Sequence, residues 1–482
     1  MSHPDSIHRP GSRAEAVALD AADPLARLRE QFDLPPGQIY LDGNSLGALP
    51  RATPDRVAAV LRQQWGQDLI QSWNKADWIT LPQRIGDRIA RLIGAQPGEV
   101  VAADSTSVNL YKVLAQAMRI QDRQRPTQRV IVSERSNFPT DLYIAEGLCR
   151  ERGWTLNLID DGTVTAASTQ DAITARLAAG DVGILMLTQV NYRTGALHDL
   201  DALTAQAHAA GALAVWDLAH SAGALPVDLN GADGGAGADF AVGCGYKYLN
   251  GGPGAPAFLW SHPRHATGAT GATDKHAADW QPLCGWMGHA APFAFTPGYQ
   301  PAAGASRWLC GTPAVLAMAA LDCGVDTLLA AEPLGGLAAL RAKSLALTAA
   351  FAVQAEARCG GFGIRVVSPR DGARRGSQVS LTFTPPDSVE ATDLSAGHAS
   401  TASPASSGYA VVQALIKVGV TGDFRAGELR PDGSRSADIL RFGFTPLYTR
   451  HVDAWDAVEQ LHAILADGRW RESRFHRRSA VT

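Results

Sequence analysis

Apolar and polar positions along the chain follow two periods. Short, nearly continuous apolar runs occur at residues 129–132, 182–187, 212–216 and 240–242, with helix-length segments between them. Runs of this kind predict strands buried on both faces, and their alternation with helices predicts βαβ units around a mainly parallel sheet, an α/β architecture. Leu110, Val113, Leu114, Ala117 and Met118 recur at helical spacing, which predicts a helix with Ser and Thr at its start. Beyond about Pro313, Ala-rich helical stretches at 315–321 and 334–351 precede candidate strands at 364–367 and 379–383, the pattern of a smaller α+β domain.

These patterns predict a flexible tail over 1–30, an N-terminal segment over 31–75, a large domain over 76–315 and a small C-terminal domain over 316–482. Ordered structure is expected to begin near residues 38–41. Residues 385–408 are rich in Ser, Ala and Pro without apolar periodicity, which predicts a disordered, dispensable surface insertion; 265–278, repeating Ala-Thr-Gly, predicts a second exposed segment.

Composition narrows the class. A net charge of -4 with no basic stripe disfavours a nucleic-acid binder. The N-terminus lacks the apolar core of a signal peptide, and no uninterrupted apolar run reaches the roughly 18 residues of a membrane span. The six cysteines are scattered without a CxxC pair, so neither a metal site nor a disulfide framework is indicated. A cytoplasmic location and no membrane partner are expected.

The densest chemical signal is the stretch from Asp239 to Gly254, where an apolar strand runs into a glycine-rich turn carrying Tyr246 and Lys247. Ligands of open α/β sheets bind beyond the carboxyl ends of strands, so Lys247 is aimed at such a site. A lysine there could form a Schiff base with an aldehyde cofactor, or simply reach from a turn into solvent. Upstream, the strand 212–216 ends on Asp217, with His220 three residues later. A carboxylate at a strand end can pair with a protonated pyridine nitrogen, or cap the next helix. Thr106 and Ser107 open the predicted helix and could donate to a phosphate, or serve as a plain N-cap. Phe138 could stack on a flat ring, and Arg441 could clamp a carboxylate through two parallel donors; both could equally be packing residues.

Taken in order, LDGNSLGALP, TSVNL, FPTD, DLAHSAG, GYKYLNGGPG, GWMGH and LRFGFTPLYT resemble the kynureninase family in its bacterial form. Members are hydrolases of fold type I that use pyridoxal 5′-phosphate. The likeness runs from about Tyr40 to about Val452. It implies that Lys247 carries the cofactor, that Asp217 meets the ring nitrogen, and that Phe138 lies against the ring. The motif Phe138, Pro139, Thr140 and Asp141 places Asp141 near the cofactor's hydroxyl and nitrogen. Thr106, Ser107, Tyr246 and His220 hold the phosphate or its surroundings, and Thr188 touches the cofactor. The resemblance further implies a homodimer with shared sites, in which Trp286 and Thr312 reach the partner's cofactor. Arg441 matches the arginine for the substrate α-carboxylate; Ser45 and Trp73 fall near the aromatic end of the substrate. The implied reaction is hydrolysis of L-kynurenine, or its 3-hydroxy form, to the anthranilate and L-alanine, in tryptophan catabolism and NAD biosynthesis, with Tyr246 as acid/base. A desulfurase or aminotransferase on the same fold is the nearest alternative. A desulfurase needs a cysteine on a mobile loop, which none of the six suggests. A non-catalytic cofactor-binding regulator lacks the expected DNA-binding appendage here.

Overall fold

The structure, a computed structural model, describes residues 10–160, 166–231, 237–266, 281–386, 407–427, 433 and 435–477. Its strands, in chain order, are β1 (Ile39–Tyr40), β2 (Val100–Ala103), β3 (Val130–Glu134), β4 (Thr155–Ile159), β5 (Val182–Thr188), β6 (Leu213–Asp217) and β7 (Phe240–Gly243). They continue with β8 (Ala257–Ser261), β9 (Ile364–Val366), β10 (Gln378–Phe383), β11 (Val420–Thr421), β12 (Asp423–Arg425) and β13 (Ile439–Gly443). The chain forms two compact units. The larger comprises 46–192 and 196–338; the smaller comprises 1–45, 193–195 and 339–482.

The larger unit is built on a seven-stranded sheet of order β2-β8-β7-β6-β5-β3-β4. All pairs from β4 through β7 are parallel, and β8 runs antiparallel to β7 and β2. The four apolar runs of the sequence became β3, β5, β6 and β7. Every residue of β5, β7 and β8 is buried, which is why these strands read as continuous apolar runs rather than alternating ones. Edge strand β4 is only half-buried, and its polar interruptions hid it from the sequence pattern. The helix Thr106–Gln124 buries Leu110, Val113, Leu114, Ala117 and Met118 in one core with β2, β3 and β5–β8, as its spacing predicts.

The smaller unit carries an antiparallel sheet of order β12-β13-β10-β9 and a parallel pair of β1 with β11. Helices Gly336–Cys359, Ser407–Lys417 and His451–Asp467 pack on its apolar side chains, among them Phe351, Leu415 and Leu461. The stretch Gly336–Phe362 is long and apolar enough to cross a membrane by length and composition, although Arg341 and Lys343 interrupt its apolar run. Half of it is buried, with Leu347, Phe351, Ala355 and Cys359 inside the smaller unit's core, as in a core helix.

The division differs from the predicted one at both ends. Residues up to 45 group with the C-terminal unit, and 46–75 and 316–338 with the large one. Nor is the whole of 1–30 a tail. Arg13–Ala22 is a helix capped by Ser12, whose hydroxyl accepts from Glu15 N (3.2 Å), and Leu25, Leu28 and Phe32 are buried after it. What holds this segment is tertiary. Arg13 pairs with Asp456 at 2.7 Å, and Asp20 accepts from the first two amides of the last helix, His451 N (2.6 Å) and Val452 N (2.9 Å). Those amides have no partner within their own helix. The predicted insertion 385–408 lies largely outside the described residues, although Ser407 already opens a helix, and 265–278 lies outside them from 267 onward.

Asp20→Ala is therefore expected to cost about 1–2 kcal/mol through the lost cap, lowering the melting temperature by a few degrees. Hydrogen exchange should speed up at the His451 and Val452 amides. An unchanged melting curve and unchanged exchange would show that the N-terminal helix holds nothing in place.

Candidate active site

In the larger unit the parallel strands deliver their last residues to one place. The β5–β6 register sets Thr188 beside Asp217, and β7 pairs with β6 one residue earlier, Val242 with Asp217. Beyond β7 the chain turns tightly, because glycines let backbone pack on backbone. A Cβ on Gly245 would stand 2.2 Å from the Pro256 carbonyl oxygen, and one on Gly47 would stand 2.5 Å from that of Lys247. Gly47 N also donates to Tyr246 O (2.8 Å) and Gly251 N to Gly245 O (2.9 Å). The turn thus presents Lys247 from a fixed backbone, four residues past the strand end.

The result is a cleft of about 130 Å³. Thr106, Ser107, Phe138, Thr140, Asp141, Thr188, Asp217, His220, Tyr246 and Lys247, all singled out in the sequence, line it. Lys247 Nζ stands 2.9 Å from His220 Nε2 and 5.9 Å from the centre of the Phe138 ring. The helix Thr106–Gln124 begins here with Ser105 as its cap, its hydroxyl accepting from Val108 N (3.3 Å). The amides of Thr106 and Ser107, at the first two helical positions, need partners from outside the helix.

Two buried carboxyls face each other behind Lys247. Asp217 accepts from Ala219 N at 2.8 Å. Burial raises the Asp217 carboxyl, while the Lys247 charge opposes the rise. Burial raises Asp141 further, well above the usual carboxylate range, and the Asp217 charge adds to it. No protein donor reaches Asp141 Oδ2. Burial thus drives both carboxyls toward their neutral forms, Asp141 further than Asp217, because the Lys247 charge is the stronger restraint on Asp217.

The sequence missed Ser105, Tyr192 and Ala219 in the lining. Ser105 was legible as the cap before an apolar-periodic run. Tyr192, which stands edge-on to Phe138 at 5.4 Å, lies in a loop with no pattern to mark it. Pro139 is the first residue of helix Pro139–Arg152 and not in the lining. Trp73 and Trp286 are absent from the lining too, but they meet edge-to-face at 6.1 Å, and Thr312 is exposed. All six cysteines are free and none lines the cleft.

Arg441 and Ser45 belong to the smaller unit, where they form a second charged cluster. Arg441, 1% exposed, donates through Nη2 to Ser45 Oγ (2.7 Å) and to the Asp423 carboxylate. Arg425 pairs with the same carboxylate at 2.7 Å. Asn44 places its amide oxygen 3.1 Å from Arg441 Nε and its nitrogen 3.2 Å from Asp42 Oδ1. Asp42 is pushed up to about 7 by burial and by the Asp423 charge, against the attraction of Arg441.

The chemistry of the cleft suits pyridoxal phosphate. It offers an amine for the aldehyde, a buried carboxyl for a ring nitrogen, an aromatic face, and a helix start for a phosphate. Residues 39–262 match the Aminotransferase class-V family, and 340–393 with 388–461 match the Kynureninase C-terminal domain. Among solved structures, a cysteine desulfurase from Thermococcus onnurineus NA1 superposes with a TM-score of 0.68 at 18% identity, covering 91% of this chain and 98% of that one. A C-DES mutant with glycine covalently linked to its PLP cofactor gives 0.65 at 17%, covering 91% and 99%. At that identity the fold alone is shared. Fold and site together define a protein of the class-V aminotransferase type, with a strand-end lysine at its centre. Kynureninases from Burkholderia pseudomallei strain 1106a and Pseudomonas fluorescens are 50% and 47% identical over 473 residues, 98% of this chain and 100% of each relative. The chain belongs to the kynureninase family.

Proposed function

We propose that this chain hydrolyses L-kynurenine, or its 3-hydroxy form, to the corresponding anthranilate and L-alanine, using pyridoxal 5′-phosphate held on Lys247. The observation that carries this reading is the convergence of Lys247, Asp217, Phe138 and the start of helix Thr106–Gln124 on one cleft. Full-length likeness to kynureninases supplies the substrate. Bound pyridoxal phosphate supplies a cationic ring that accepts the electrons released at the substrate Cα. Asp217, buried at the strand end, would pair with that ring nitrogen and keep it protonated, with Asp141 beside it in the cleft. Phe138 covers one ring face. The amides of Thr106 and Ser107 take the phosphate, with Tyr246 and His220 beside it, and Thr188 and Thr140 complete the wall.

Lys247 would hold the cofactor through its aldehyde and, once freed by the substrate amine, would be the group placed to move the Cα proton. Tyr246 is the acid/base for the later proton transfers, since it adjoins Lys247 and lines the same cleft. Water adds its oxygen to the γ-carbonyl carbon, the Cβ–Cγ bond breaks, and a proton goes to Cβ. Arg441 takes the α-carboxylate; Trp73 and Ser45 lie toward the aromatic end. The protein acts in the cytoplasm, in tryptophan catabolism and NAD biosynthesis, without membrane or nucleic-acid partners. The test is to incubate the purified protein with L-kynurenine and measure both products. Anthranilate and alanine in equal amounts are expected; turnover that instead requires a keto acid would make it an aminotransferase.

The active form is proposed to be a homodimer in which Trp286 and Thr312 of one subunit reach the cofactor of the other. Lys247→Ala and Thr312→Arg proteins, each inactive alone, are expected to recover up to about a quarter of wild-type activity when mixed and refolded together. Only a shared site leaves one intact centre in the hybrid dimer. No recovery, despite hybrid dimers seen by mass spectrometry, would place Thr312 and Lys247 of one chain at the same centre.

A further inference from the structure

Arg441 does not stand ready as an isolated cation. In the smaller unit it meets Asp423 directly and Asp42 through Asn44, and Arg425 supplies the second positive charge. The cluster thus balances two carboxylates with two guanidiniums. Its remaining titratable neighbours are Tyr40 and Tyr448. Burial raises the Tyr40 phenol, which keeps it neutral near physiological pH. An incoming α-carboxylate makes three anions against two cations in a site where the Arg441 and Asp423 side chains are 2% and 1% exposed. Excess charge is costly where water cannot screen it, so one carboxylate must take a proton.

The geometry identifies which one. Asp423 is in ion pairs with both Arg425 and Arg441, and its Oδ1 accepts from Phe424 N at 2.8 Å. Asp42 has no ion pair of its own among the described residues. Its links to the cluster are Asn44 and Ser45, and it is only partly buried, so solvent protons reach it. We propose that Asp42 is the proton acceptor that compensates substrate binding: as Arg441 engages the incoming α-carboxylate, Asp42 takes up one proton. Asp423 then acts as a positioning residue that holds the Arg441 fork. This inference rests on the reading of Arg441 as the carboxylate clamp.

The sign follows from linkage. Asp42 already titrates near 7, and a third anion raises it further. Affinity for a carboxylate ligand is then flat on the acid side of that value. On the alkaline side it weakens by up to about tenfold per pH unit, until the value of the bound state is reached. Asp42→Asn is permanently neutral and removes this dependence.

The experiment is calorimetric binding of L-alanine to the holoenzyme at pH 8, in buffers of different ionisation enthalpy, with ethylamine as the ligand lacking a carboxylate. Wild type is expected to take up close to one more proton with alanine than with ethylamine, and Asp42→Asn no more with one than with the other. Cofactor absorbance checks that the variant is loaded. Equal uptake for the two ligands in wild type overturns the proposal without reference to any variant, and wild-type uptake in loaded Asp42→Asn assigns the proton elsewhere. Arg441→Lys separates the two claims, because lysine keeps the charge but loses the two-donor fork. It is expected to weaken alanine roughly tenfold to a hundredfold and ethylamine little. Equal weakening of both ligands sinks the clamp itself. Selective weakening alongside wild-type proton uptake in Asp42→Asn sinks only the role of Asp42.

Discussion

Lys247→Ala is expected to abolish turnover, by at least roughly 10⁴-fold, while the protein still folds. Proton transfer by a positioned group alone contributes roughly 10²–10⁴-fold, and this side chain also forms the covalent link to the cofactor. Its place in the structure argues against a stabilising role. The side chain lines a cleft, is only half-buried, and makes one polar contact, His220 Nε2 at 2.9 Å. The melting temperature of the cofactor-free variant should therefore stay close to that of the cofactor-free wild type. A small primary amine added to the variant should restore part of the proton transfer. In the wild type, borohydride reduction followed by peptide mapping should place the pyridoxyl group on Lys247. A label on another lysine, or an active Lys247→Ala protein, would remove the basis of the proposed function.

The two buried carboxyls behind Lys247 are expected to respond unequally to the same change. Asp217→Asn removes the anion that keeps the ring cationic. Breaking one side of a buried charged pair costs about 3–5 kcal/mol. That corresponds to a rate loss of roughly a hundredfold to several thousandfold, at a cofactor content reduced but measurable. Asp141→Asn should lose no more than roughly tenfold, because burial and the Asp217 charge push the Asp141 carboxyl well above the usual range, toward a neutral form that an amide can replace. Stability supplies an independent sign. A carboxyl raised in the folded state costs stability at neutral pH, and that cost vanishes as the pH falls toward its unfolded value of about 3.9. Cofactor-free Asp141→Asn is thus expected to melt above the cofactor-free wild type at pH 7, with the gap closing as the pH drops. Equal losses of activity in the two variants would show that the proton does not reside on Asp141.

The chain by itself determined the parallel core. β3, β5, β6 and β7 are legible because a strand buried on both faces must be apolar throughout, and the turn after β7 because only glycine permits such close backbone contacts. Lys247, Asp217, Thr106 and Ser107 were legible from strand ends and a helix start, while Thr140, Asp141 and Thr188 were reached only through the family resemblance. Tertiary structure decided what depends on contacts distant in sequence. The helix Arg13–Ala22 is Ala-rich and short, and reads as tail until Asp456 and the amides of His451 and Val452 meet it from more than 400 residues away. The boundary after Ser45 falls inside the LDGNSLGALP motif, where no change of composition marks it. That Asp141 is pushed up further than Asp217, and that Asp42 shares a cluster with Arg441, follow from distances and burial. A carboxylate's letter in the sequence is the same in either state; its charge is set by what folding places beside it.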